Sequence, residues 1–97
     1  MNDKTMPLLK RDDILRQIDE TLELCESELL RLPTDIALKT ECSALESLQS
    51  MVMDHWPLKP EEKAAINIGI YAVRELEGIN DELVAKLTTL EQRITRA

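Results

Sequence analysis

Apolar residues recur at alternating steps of three and four along this chain, and the pattern is cut by Pro33, by the 54–60 segment and by Gly78. That spacing places the apolar residues of each block on one helical face, so the blocks must fold as helices packed on one another. In the first block the face is Leu15, Ile18, Leu22, Cys25, Leu29 and Leu32, with Asp12 or Asp13 able to cap its start. Pro33 ends it, because proline lacks the backbone donor and its predecessor avoids helical geometry. Thr34 or Asp35 can cap a second helix with Leu38, Cys42, Leu45, Leu48 and Val52 on its inner face. The intervening turn is short enough to set the two helices antiparallel.

Two prolines make the 54–60 connection stiff, and Pro60, followed by Glu61 and Glu62, suits the first turn of a third helix. Within that helix Ala65, Gly69, Ala72 and Leu76 form a small-residue stripe, and Ile66, Ile70 and Val73 form a second apolar stripe beside it. Two such stripes predict a central helix with neighbours on both sides. Gly69 costs about 1 kcal/mol in helix propensity relative to alanine, which predicts a compensating close approach of another backbone. Gly78 is placed to end this helix in the left-handed region, and Asn80 or Asp81 to begin a fourth with Leu83, Leu87, Leu90 and Ile94 inward. The expected fold is all-α: a single-domain antiparallel four-helix bundle over 12–97, preceded by a flexible segment 1–11.

Composition narrows the function. The chain has no phenylalanine, so its core must be built from aliphatic side chains. Its net charge of −7 opposes a nucleic-acid backbone or an anionic membrane as partner and favours a protein with a basic surface. The N-terminal residues lack a continuous apolar run and no later run is long enough to span a bilayer, so the expected location is cytoplasmic. Cys25 and Cys42 are then expected as free thiols, and their similar distances from the turn allow them to face each other across the first hairpin, which would make them an oxidation liability.

Catalytic chemistry is poorly provided for. His55 is the sole histidine, with Val52 three residues before it, which excludes the Glu-x-x-His pairs of helical di-metal sites. There is no glycine-rich phosphate loop, no HExxH segment and no nucleophile elbow. Neither a catalytic residue, a cofactor nor a metal ligand is expected, and the function should be one of binding.

Three features are candidate partner contacts. Asp12, Asp19, Glu23 and Glu26 fall on neighbouring turns of the first helix and can steer a basic protein into contact. Trp56 beside Pro57 either caps the end of the bundle or is an anchor of the kind that dominates interface energetics. Tyr71 and Arg74 belong to a polar stripe with Lys63 and Asn67 at steps of four, four and three.

The pattern Ile68-Gly69, Ala72-Val73-Arg74-Glu75-Leu76-Glu77 and Asn80-Asp81-Glu82-Leu83, with Ile18-Asp19-x-x-Leu22, Leu30-Arg31-Leu32-Pro33 and Leu45-x-x-Leu48 upstream, resembles small helical immunity proteins of bacterial type VI secretion systems. The resemblance spans roughly residues 14–87. Asn80-Asp81 departs from the Asp-Pro of that family. The best-known members neutralise a toxin that hydrolyses NAD(P)+, so the resemblance implies an inhibitor that binds a cognate NAD(P)+ glycohydrolase and occludes its active site. Two other readings fit the residues alone: a helical adaptor or secretion chaperone, and a structural homodimer using the spare apolar residues Leu24, Leu30, Met51 and Met53.

Overall fold

The computed structural model describes residues 6–96, with side chains described from Lys10 onward. All regular structure among the described residues is helical: α1 (Met6–Arg31), α2 (Ile36–Asp54), α3 (Pro60–Ala65), α4 (Ile68–Glu75) and α5 (Asp81–Arg96). None of these helices is long and apolar enough to cross a membrane.

α1 is described from Met6 and takes in residues 6–11 of the segment expected to be flexible, of which residues 1–5 lie outside the described residues. Pro7 stands in its first turn, where a missing N–H is harmless. Asp12 and Asp13 are consequently inside the helix and not at its cap. Asp13 instead accepts from Arg16 on its own helix and from Arg93 of α5. The Arg93 hydrogen bond leads in holding the Asp13 carboxyl below its ordinary value. At the other end of α1, Glu28 takes a hydrogen bond from the Asn80 side chain at 2.8 Å. Together these ties run α5 antiparallel to α1.

Caps fall where short polar side chains allow them. Asp35 accepts from the Leu38 N–H at 2.9 Å and starts α2. Asn80 accepts from the Leu83 N–H at 2.9 Å and starts α5 while its amide donates to Glu28, so one residue caps one helix and ties down another. Gly78, with φ of 87°, makes the left-handed turn between α4 and α5. The core joins Ile14, Ile18, Leu22 and Cys25 of α1 to Leu38, Cys42, Leu45, Leu48 and Val52 of α2, and to Leu83, Leu87, Leu90 and Ile94 of α5. Leu58, from the stiff connection, is also buried there.

The third helix is not continuous. Ile66 turns to an extended conformation, its N–H bonding back to the Lys63 carbonyl, and the helix resumes after Asn67 as α4. The residues at the break, Ile66-Asn67-Ile68-Gly69-Ile70, are all weak helix formers, so interruption costs little. Lys63 on α3 therefore leaves the register of Tyr71 and Arg74 on α4, and the expected four-residue polar stripe does not exist as one face. Once separate, α4 buries Ile68, Gly69, Ala72 and Leu76 against α5 and α2. Ile70 and Val73, expected to pack a second neighbour, point outward at 59% and 49% exposed.

Gly69 is where α4 and α5 come closest. A Cβ placed on it would stand 2.9 Å from the Thr88 Cα and 3.3 Å from the Leu87 carbonyl oxygen, both backbone atoms of α5. Its N–H donates to the Glu91 carboxylate at 3.1 Å, which satisfies a donor at the start of α4 from across the interface.

Gly69→Ala should lower thermal stability even though alanine adds about 1 kcal/mol of helix propensity. Gly69→Val should lower it further, by about 1–3 kcal/mol or more through overpacking. Thermal denaturation followed by circular dichroism measures both, and a rise in midpoint for the alanine variant contradicts the close approach.

Candidate functional site

The described surface offers one place where apolar side chains, an unpaired cation and a groove coincide: the outer face of α4. Ile70 and Arg74 are one turn apart, with Val73 beside them, because the inward stripe 68, 69, 72 and 76 turns these positions away from α5. Arg74 is exposed and has no ion pair or side-chain hydrogen bond among the described residues. Between these side chains and Thr88 and Gln92 of α5 lies a shallow groove of about 290 Å³, also lined by Gly69 and Glu91. Tyr71 is half-buried on the same helix.

The candidate residues do not form one surface. Asp12, Asp19, Glu23 and Glu26 are all exposed on α1, and their spacing of seven, four and three puts them on one face. Yet α1 and α4 make no direct contact among the described residues, so the carboxylates and the Tyr71–Arg74 pair lie on different sides. Glu28, which would have widened the acidic face, is half-buried and engaged by Arg31 and Asn80. Trp56 is half-buried against the core. It has less surface to offer a partner than a free anchor would. His55 is paired with Glu62 at 2.6 Å, and the other Glu62 oxygen accepts from the Lys59 N–H at 2.8 Å. The Lys59 hydrogen bond leads in holding the Glu62 carboxyl below its ordinary value.

Sequence reasoning missed Ile70 and Val73 as surface residues because it treated 60–77 as one helix with two inner stripes. The run of β-branched residues with Asn67 and Gly69 was the signal for the break. A second omission is Glu41, 1% exposed among the apolar residues of α2. Buried Thr21 donates to the Gln17 carbonyl at 2.7 Å, whereas the Glu41 Oε2 is buried with no hydrogen-bond partner. Burial, and then the charge of Glu91 on α5, pushes the Glu41 carboxyl from 4.5 up to about 8. With no hydrogen bond to its buried Oε2, protonation is the means of relief.

A larger groove between α1 and α5 sets Arg16 and Lys86 beside Glu20 and Glu82, so it carries no single sign of charge. Among the described residues no group of three or more His, Cys, Asp or Glu side chains could hold a metal ion. No family model matches the chain, nor does any curated protein or solved structure.

Glu41 sets the sign of one pH effect. Its folded-state value is raised, so the fold suffers no penalty below about pH 4.5, and stability is lost as pH rises from there through about 8. Replacing it with methionine, which fills similar space without a charge, should raise the thermal midpoint, with a gain that widens across that interval. A gain independent of pH, or a loss at the alkaline end, contradicts the assignment.

Proposed function

We propose that the helices pack as an antiparallel four-helix bundle, and that this bundle is a cytoplasmic immunity protein. Its target is a cognate secreted bacterial toxin, an NAD(P)+ glycohydrolase, which it inhibits by covering the active site. The observation that carries this reading is the outward apolar face of α4. Ile70 and Val73 lie beside an unpaired Arg74 within the segment, residues 68–83, whose pattern resembles the immunity family.

An exposed apolar centre beside arginine has the composition of a binding hot spot. Because Gly69 locks α4 onto α5, this face is presented on a rigid element, which reduces the ordering cost of association. The acidic face of α1 supplies long-range attraction to a basic toxin without sharing the contact. Inhibition then needs no chemistry from the immunity protein, only a complex that outlasts the toxin's opportunity to act. Affinity of nanomolar order or better is expected, with slow dissociation.

Leu30 and Ile36, both strongly exposed around the α1–α2 turn, favour a second reading in which that tip holds an apolar segment of a partner or a second copy. An adaptor or homodimer of this kind would leave the toxin's activity intact.

The test is NAD(P)+ hydrolysis by the toxin encoded beside this gene, with the purified chain titrated in. Inhibition should saturate near an equimolar ratio, and Ile70→Asp with Val73→Asp should weaken it by about 100-fold or more. Because both side chains are exposed, the thermal midpoint of that variant should stay near that of the parent. Hydrolysis that continues undiminished in a stable complex supports the adaptor instead.

A further inference from the structure

We propose that Cys25 and Cys42 are a latent disulfide site, closed by a peroxide-class oxidant into a covalent clip between α1 and α2. The two sulfurs lie 3.1 Å apart, buried in the seam between the helices. A disulfide bond is about 2.05 Å long, so closure asks for roughly 1 Å of approach from side chains already directed at each other. Both cysteines are free. The Cys25 thiol also lies 3.7 Å from the Leu38 carbonyl oxygen, which ties its sulfur to the start of α2.

The surroundings decide when the clip forms. Cys25 is fully buried and Cys42 is 6% exposed, which leaves Cys42 as the sulfur a small oxidant reaches first. Burial pushes both thiols above their ordinary value, and the carboxylates of Glu26 and Glu41 add to the effect at each of them. Thiolate is therefore scarce and large electrophiles are excluded, so the pair stays reduced through brief exposure and responds to sustained oxidant.

The chemistry balances with one peroxide. The Cys42 sulfur, as thiolate, attacks a peroxide oxygen; the O–O bond breaks, the departing hydroxide takes up the thiol proton as water, and Cys42 becomes a sulfenic acid. The Cys25 sulfur then attacks that sulfur, and the sulfenic oxygen leaves as a second water carrying the Cys25 proton. Two thiols give up two protons and two electrons, hydrogen peroxide is reduced to two waters, and one S–S bond forms. The short chain segment it closes includes the whole α1–α2 turn, so the clip restricts the unfolded chain where the hairpin must otherwise be assembled.

The experiment treats the reduced full chain with hydrogen peroxide, alkylates it in denaturant, and maps linked peptides by mass spectrometry. The expected product is a monomer in which both cysteines resist alkylation and the Cys25 and Cys42 peptides are joined, reversibly by dithiothreitol. Its thermal midpoint should rise by on the order of 10 °C. Cys25→Ala should lose both the link and the rise, leaving Cys42 to oxidise further. Wild-type protein whose thiols remain alkylatable, gain oxygen instead of joining, or link two chains together overturns the proposal, and this readout does not depend on how well the variant folds.

Discussion

The α4–α5 seam closes over a gap sized for glycine. At Gly69 the two backbones approach until a Cβ would meet the Thr88 Cα at 2.9 Å, and the Glu91 carboxylate caps the Gly69 N–H across the same seam. The helix starts afresh after Ile66 and Asn67, and Gly69 stands in the first turn of α4. With Gly69 and Ala72 turned toward α5, Ile70, Val73 and Arg74 face outward.

Much of this was readable in the chain. The inner faces of α2 and α5 followed from spacing alone, since Leu38, Cys42, Leu45, Leu48 and Val52, and Leu83, Leu87, Leu90 and Ile94, are all buried. Asp35, Asn80 and Gly78 act where their chemistry suggested, and Gly69 makes the backbone approach that its propensity cost implied. What periodicity could not show was which of two apolar stripes would be used. Ile66, Ile70 and Val73 satisfy a helical repeat as well as Ile68, Ala72 and Leu76 do, and only the approach to α5 selects between them. Glu41 was illegible for the same reason, since a lone glutamate reads as a solvated position unless the neighbouring helix is known to cover it. The acidic face of α1 was legible as a face, but its separation from Tyr71 and Arg74 is a property of helix packing that no single segment encodes.

The interior is less uniform than its aliphatic composition suggests. The α1–α2 seam holds two thiols in contact, and α2 also buries a carboxyl opposite another acidic side chain. These groups work against plain hydrophobic packing, and departures of that kind concentrate where a fold does more than persist. The outer face of α4 stands apart from them, supported by a tightly packed seam and free of partners. On the proposed reading, the rigid apolar face of α4 with its unpaired arginine captures a folded protein, while the buried thiols and carboxyl respond to solution conditions.

Side-chain footprinting with hydroxyl radicals, on the chain alone and mixed with the proposed toxin, tests whether α4 is the docking face. The account predicts that Ile70, Tyr71 and Val73 lose reactivity in the complex while Leu30 and Ile36 keep theirs. Protection confined to the α1–α2 turn, with α4 as reactive as in the free chain, would contradict it.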